Sequence, residues 1–416
     1  MHKEVSTIVL CLLYCLCSIP SIAQNRLSLT TQLDSLSKQL DAEPYTTGIS
    51  VWDLTADSAV YSYNAHKVLR PASTQKLITA ITALDVLGAQ HEYKTQAFYE
   101  GTLTSDSVLN GNITIVGDYD PMLTFDDVHD IACNFFALGI KAINGKIIGS
   151  STMAAQPMFG KGWCWDDIPG GSAPYLSPLM FDRGRLSPQS RAFSRDMYFD
   201  PSQWFVHTVD SLLQSMGIRH TDASITPPEG APRYCFYTCT HTINDVLQDM
   251  MKKSDNLYAE SMFRQLSSTS QPVPQLGPQL NTQPSSQPGT QLSPQLNSQL
   301  VDGSGLSLYN YLTPDTETAY LRYAYSQQHI FQYLYPALPI AGVDGSLKSR
   351  MQTGKSYNNV HAKTGTLTGV SSLAGYVTSA DGHLLAFSII INGVLTGSTG
   401  RAMQDRICEI LAGGEK

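Results

Sequence analysis

Apolar residues at Leu29, Leu33, Leu36 and Leu40 recur at the spacing of one helix face, and Ser35 lies off that stripe. Two alternating stretches, "TGISVWDL" and "SAVYSYN", predict strands joined by a polar turn around Ala56-Asp57. Beyond Pro71 the period becomes helical again. Leu77, Ile78, Ile81, Leu84 and Leu87 share a face, and Gly88 supplies a stop. From about His91 to Pro232 short apolar runs alternate with Gly/Pro/Asp-rich turns, as in "LNGNITIVGDYDP" and "ITPPEGAP", which predicts an inserted domain of mixed, largely β content. Helical patterning returns in "TINDVLQDMMKKSDNLYAESMFRQL". The C-terminal third holds two strand-like runs, "LTGVSSLAGYVTS" and "HLLAFSIIING", joined through the hairpin signal Ala380-Asp381-Gly382, and a final helix around Arg401 to Leu411.

Two segments break this patterning. At the start, an apolar run from Ile8 to Ile19 follows Lys3 and precedes the small-x-small site Ser21-Ile22-Ala23. That is the pattern of a secretory signal peptide over residues 1–23, and the run is shorter than the roughly 20 residues a bilayer-spanning helix needs. The expectation is an exported chain, on the periplasmic or extracellular side of the cytoplasmic membrane. The second segment, Ser267 to Leu300, has no charged residue and repeats "PQL" at Pro274, Pro278 and Pro294 amid Gln, Ser and Thr. Such a stretch buries too little to offset its ordering entropy and predicts a disordered loop. The domain reading is therefore a discontinuous domain of residues 24–90 and 233–416, interrupted by an insert at 91–232.

The chain has 416 residues, 42% hydrophobic and 15% charged, with a formal net charge of −8. That balance suits a globular protein and argues against nucleic acid as a partner. It leaves peripheral contact with a membrane surface open and is silent on oligomeric state. Of the 8 cysteines, Cys11, Cys15 and Cys17 would leave with the signal peptide, so Cys133, Cys164, Cys235, Cys239 and Cys408 remain. They are odd in number. If "RYCFYTC" is a strand, Cys235 and Cys239 lie about 13 Å apart, beyond the reach of a disulfide. The expectation is mostly buried free thiols. Histidines show no metal-ligand spacing, and no glycine-rich phosphate loop is present, so neither a metal nor a cofactor is expected.

Chemistry concentrates in three short motifs: Ser73-x-x-Lys76, Ser254-Asp255-Asn256 and Lys363-Thr364-Gly365. On a helix, Ser-x-x-Lys puts both side chains on one face, one turn apart, where the amine can take the hydroxyl proton. The pattern alone is weak, since Ser35 and Lys38 repeat it in "LDSLSKQLD". Its weight comes from co-occurrence, because the ordered trio is that of serine β-lactamases and penicillin-binding proteins. Asp255 is expected to point away and stabilise its turn. The glycine-rich stretches "DGSGLS" (Asp302 to Ser307) and "AGVDGSLK" (Ala341 to Lys348) read equally well as cleft-shaping loops or as plain tight turns.

Together with "GDYDPMLT", "GWCWDDIP", "DGSGLS", "AGVDGSLKSR" and "HAKTGTLTGVSSLAGYV", these motifs make the chain resemble the D-alanyl-D-alanine carboxypeptidase/endopeptidase family, the low-molecular-mass class C penicillin-binding proteins. The resemblance covers nearly all of the chain after the signal peptide. It implies an α/β (α+β) fold of the penicillin-binding-protein and serine β-lactamase type, an antiparallel sheet flanked by helices, carrying an inserted domain. The implied activity is a serine-type D-Ala-D-Ala carboxypeptidase, extending to D,D-endopeptidase action on peptidoglycan cross-links. Peptidoglycan stem peptides would be its substrates and β-lactams its covalent inhibitors. It further implies Ser73 as nucleophile, Ser254 as a proton relay, and Asn256 as a partner of Lys76 and of the substrate amide; Lys76 is the nearest candidate for the base, a role disputed within the wider superfamily. The backbone N–H groups of Ser73 and Thr366 would form the oxyanion hole, and Lys363, Thr364, Gly365 and Thr366 would receive the substrate's terminal carboxylate. Burial and the charge of Lys363 are expected to lower the proton affinity of Lys76. Two departures stand out: the uncharged Gln/Pro/Ser segment, and an insert shorter than in the largest members. Two other readings compete, a serine β-lactamase or esterase on the same scaffold and a catalytically silent wall-binding protein.

Overall fold

A computed structural model describes residues 29–151, 153, 157–167, 172–184, 200–221, 233–267 and 298–414. The proposed signal peptide and almost all of the Gln/Pro/Ser segment lie outside these residues. The first helix, α1, spans 29–40, with Leu33, Leu36 and Leu40 buried, while Ser35 and Lys38 are exposed. This second Ser-x-x-Lys copy is ordinary helix surface.

Five strands form one antiparallel sheet in the order β2-β1-β11-β10-β9, from β1 (Thr46–Asp53), β2 (Ser58–Tyr63), β9 (His361–Leu367), β10 (Val370–Thr378) and β11 (Leu384–Asn392). Its central strands read as continuous apolar runs because both faces are covered. Phe387, Ile389 and Ile391 of β11 pack with α1 and the C-terminal helix Gly397–Leu411, whereas Ala386 and Ile390 face the opposite core. That second core is built by α2 (Lys76–Val86) together with helices Ile243–Lys253, Asn256–Ser267, Pro314–Ser326 and Gln328–Ala337. α2 is thus buried on nearly every side, including Leu77, Ile78, Ile81 and Leu84.

The second sheet has the order β7-β5-β4-β3-β8, with β6 also paired to β4. Its strands are β3 (Glu92–Leu103), β4 (Val108–Gly117), β5 (Ala142–Asn144), β6 (Ile147–Ser151), β7 (Arg219–Thr221) and β8 (Arg233–Thr242). Two helices, α3 (Phe125–Ala137) and α4 (Pro201–Ser215), bury Ile131, Phe135, Phe205, Val209 and Leu213 against Ile113 and Ile115. β8 pairs with β3 along Arg233 to Thr242, so this sheet runs past the expected boundary at residue 232. Thr242 then caps the helix Ile243–Lys253 (α5), joining the insert's sheet directly to the element that ends at Ser254.

The thiols correct one expectation. Cys133, Cys164, Cys235, Cys239 and Cys408 are free, but only Cys408 is buried; Cys235 is exposed and the other three are half-buried. Cys235 and Cys239 lie on β8, which is an edge strand and leaves one flank of its side chains uncovered.

Candidate active site

Ser73 sits in a 3-10 turn, Ala72–Gln75, that leads into α2. The turn is held from several sides. Ala72 adopts a left-handed φ of 52°. A Cβ on Gly305 would lie 1.9 Å from the Ala72 carbonyl oxygen, and one on Gly365 would lie 2.9 Å from the Ser73 nitrogen. Only glycine at these two positions lets the "DGSG" loop and strand β9 close on the serine's backbone.

Lys76 begins α2 and is completely buried. Its Nζ donates to Ser73 Oγ at 2.9 Å, to Asn256 Oδ1 at 2.7 Å and to the Ser304 carbonyl at 2.7 Å. Burial lowers its pKa to about 8 from the ordinary 10.5, while the charges of Asp302, Glu260 and Asp255 oppose that shift. Burial, rather than the expected charge of Lys363, is the cause of the lowering. Lys363 is itself fully buried and held well below the ordinary lysine range, first by burial and then by the charge of Lys76.

Ser254 caps α5 in the left-handed region, with φ 58° and ψ 40°, and its Oγ accepts from Lys363 Nζ at 2.7 Å. Asn256 starts the next helix, α6 (Asn256–Ser267). Its Oδ1 faces Lys76, whereas its Nδ2 donates to the Ser172 carbonyl at 2.8 Å, so a substrate amide would have to replace that contact. Asp255 points away as expected. It accepts from the Tyr258 backbone at 3.2 Å and meets both terminal guanidinium nitrogens of Arg183, at 2.5 and 3.1 Å.

The "DGSGLS" loop does more than turn. Asp302 accepts from Trp163 Nε1 at 2.9 Å, the Gly305 and Ser307 backbones at 2.9 and 2.6 Å, and Asn310 Nδ2 at 2.7 Å. Gln75 Nε2 donates to its carbonyl. Glu260, one helical turn after Asn256, accepts from Gly303 N at 3.1 Å and Ser304 N at 2.8 Å. This fixes the carbonyl that receives Lys76. Burial, with the Asp302 charge behind it, pushes the Glu260 carboxyl upward.

On β9, Thr364 Oγ1 lies 2.7 Å from Ser346 Oγ of the "AGVDGSLK" loop, and the Thr366 side chain is exposed. β9 ends the sheet order. Past a bridge between His361 and Ile340, no described strand pairs with its outer edge. Ser73, Lys76, Ser254, Asn256 and Lys363 thus converge beside a free strand edge. Ser304 lies in the "DGSGLS" stretch already singled out, whereas Glu260, Arg183 and Ser172 escaped the sequence reading. Glu260 alone left a trace there, as the i+4 neighbour of Asn256 on one helix face.

D-alanyl-D-alanine carboxypeptidase DacB of Haemophilus influenzae is 27% identical over 418 residues, covering 84% of this chain and 86% of the relative. A D-alanyl-D-alanine carboxypeptidase of an Actinomadura species is 25% identical over 458 residues, covering 92% and 84%. The crystal structure of penicillin binding protein 4 from H. influenzae, also solved in complex with a β-lactam, shares the fold with a TM-score of 0.73. Their identity is 24%, over 89% of this chain and 96% of that one. The family model described as D-Ala-D-Ala carboxypeptidase 3 (S13) family matches residues 29–197 and 193–413, and the chain belongs to that family.

Proposed function

We propose that this chain is an exported serine-type D-Ala-D-Ala carboxypeptidase acting on peptidoglycan stem peptides, and on cross-links that end in D-amino acids. The observation that carries this reading is the contact of a buried, pKa-lowered Lys76 amine with Ser73 Oγ at 2.9 Å. In this account the substrate's C-terminal dipeptide adds along the outer edge of β9, exchanging main-chain hydrogen bonds as an extra strand does. Lys363, Thr364 and Thr366 receive its terminal carboxylate, a charge-assisted contact that favours a free C-terminus. Gly365 keeps β9 close enough for the backbone N–H groups of Ser73 and Thr366 to face one oxyanion. Such a donor is worth about 3 kcal/mol of barrier.

Ser73 Oγ attacks the carbonyl carbon of the penultimate D-alanine while its proton passes to neutral Lys76. Collapse of the tetrahedral intermediate breaks the peptide bond; Ser254 Oγ hands its proton to the departing D-alanine amine and takes up the one held by Lys76, which returns Lys76 to its neutral form. Water then attacks the acyl-serine with Lys76 as base, releasing the shortened peptide and regenerating Ser73. β-Lactams would enter by the same carboxylate contact and leave Ser73 acylated.

Export follows from the pattern of residues 1–23. Among the described residues no helix is long and apolar enough to cross a membrane. The test is release of free D-alanine from a pentapeptide ending in D-Ala-D-Ala, followed in parallel with penicillin turnover. D-alanine release with slow deacylation of penicillin supports the peptidase. Rapid penicillin hydrolysis without D-alanine release would favour the β-lactamase, and no reaction with either would favour the silent wall-binding protein.

A further inference from the structure

Two half-buried groups on β8 take no part in this chemistry. Cys239 and His241 are two residues apart on that edge strand, so their side chains leave the same face. Asp120, just beyond the end of β4, lies beneath them with its side chain fully buried, and its Oδ2 meets His241 Nδ1 at 2.7 Å. Cys239 Sγ lies 3.5 Å from Oδ1 of Asp127, in the first turn of α3. One donor atom from each of Asp120, Cys239 and His241 falls within 4.8 Å of the others. The groups that meet the two residues are carboxylates, Asp120 at His241 and Asp127 at Cys239.

We propose that Asp120, Cys239 and His241 form a binding site for a zinc-type divalent cation, remote in function from the serine centre. The donor chemistry selects the ion, because thiolate and imidazole suit zinc whereas calcium and magnesium take oxygen donors. Zinc bond lengths in a tetrahedron separate ligand atoms by about 3.3 to 3.6 Å. The Asp120–His241 contact therefore opens slightly as the ion replaces the bridging proton, and the thiol moves inward. The Cys239 thiol proton and the His241 Nδ1 proton leave to solvent. Asp127 Oδ1, 3.5 Å from the sulfur, already has the spacing of a fourth ligand, while Oδ2 of the same carboxylate stays on the Thr124 cap of α3. The ion would tie β8, the turn after β4 and the start of α3 together, one residue before the Thr242 cap of α5. The sequence conceals this site because Cys239-x-His241 acquires its carboxylates only through pairing of the insert's strands.

The test is a cobalt(II) titration of the tag-free exported form under reducing conditions, read by absorption, then displaced with zinc. The expected result is a thiolate-to-cobalt charge-transfer band saturating at one equivalent, bleached by zinc, with zinc raising the melting temperature. Cys239→Ser should lose the band and the zinc-induced shift. His241→Ala should weaken binding by about tenfold or more. Cys235→Ser, which removes the exposed thiol on the same strand, should keep both. Acylation by penicillin reports that each variant is folded. Absence of the band from the wild type overturns the proposal, as does a band that survives Cys239→Ser in a folded variant.

Discussion

If Lys76 is the base, the acylation rate should follow its deprotonation. With a pKa of about 8, roughly one Lys76 in ten is neutral at pH 7; at the ordinary 10.5 it would be about one in three thousand. The burial of this amine therefore gives about a 300-fold larger reactive fraction, equivalent to about 3 kcal/mol of barrier at neutral pH. The sign follows directly: the charged form is inactive and the folded pKa is depressed, so acylation rises with pH and levels off above about 8. The assay is the first-order acylation rate at saturating β-lactam, followed by quenched intact mass from about pH 6 to pH 10. Below the midpoint, log rate should climb about one unit per pH unit. Lys76→Arg, whose guanidinium stays charged, should lose about two to four orders of magnitude at every pH. A rate flat over that range, a midpoint near the free-lysine value, or a rate falling through pH 8 would refute the assignment.

Three further outcomes follow from the geometry. Gly365→Ala places a Cβ 2.1 Å from Ser372 Oγ and 2.8 Å from the Pro71 carbonyl, so β9 must move off the serine turn. Acylation should fall at least about 100-fold with a stability loss of about 1–3 kcal/mol, measured by penicillin labelling and thermal melting. Arg183→Ala frees Asp255 and should loosen the Ser254 turn, lowering kcat about 10- to 100-fold with little change in Tm, and Arg183→Lys should rescue only part of the loss. Lys363 is held below the lysine range by burial and by the charge of Lys76, so a carboxylate docking beside it should raise its proton affinity. Binding of a D-Ala-D-Ala peptide to Ser73→Ala should then take up a proton, seen as calorimetric heats that vary with the buffer's ionisation enthalpy; equal heats in all buffers would contradict it.

What could be read from the chain and what could not divide along physical lines. α2 was legible because its apolar residues keep the helical period, and β10 and β11 because runs such as "AFSIII" are buried on both faces. The three motifs were legible as spacing, but spacing could not separate Ser73 from Ser35. Burial does: Lys76 is enclosed by Asn256 and the Ser304 carbonyl, whereas Lys38 faces solvent. The contacts that set the site's charge were hidden, because Glu260 acts through the backbone of Gly303 and Ser304, and Arg183 reaches Asp255 from the insert. Arg183 leaves no local pattern, and Glu260 leaves only its helical spacing from Asn256. The expected end of the insert fell short for a similar reason: "RYCFYTCTHT" belongs with β3 only through pairing with residues far back in the chain. The thiols were misjudged because composition carries no information on which strand lies at a sheet's edge.

The central claim is that Ser73 is the nucleophile. Intact mass of the exported form after incubation with penicillin, with Ser73→Ala and Ser35→Ala alongside, tests it most directly. The account predicts one stable adduct on the wild type and on Ser35→Ala, and none on Ser73→Ala. An adduct that persists on Ser73→Ala, or a wild type that stays unmodified with penicillin recovered intact, would contradict it.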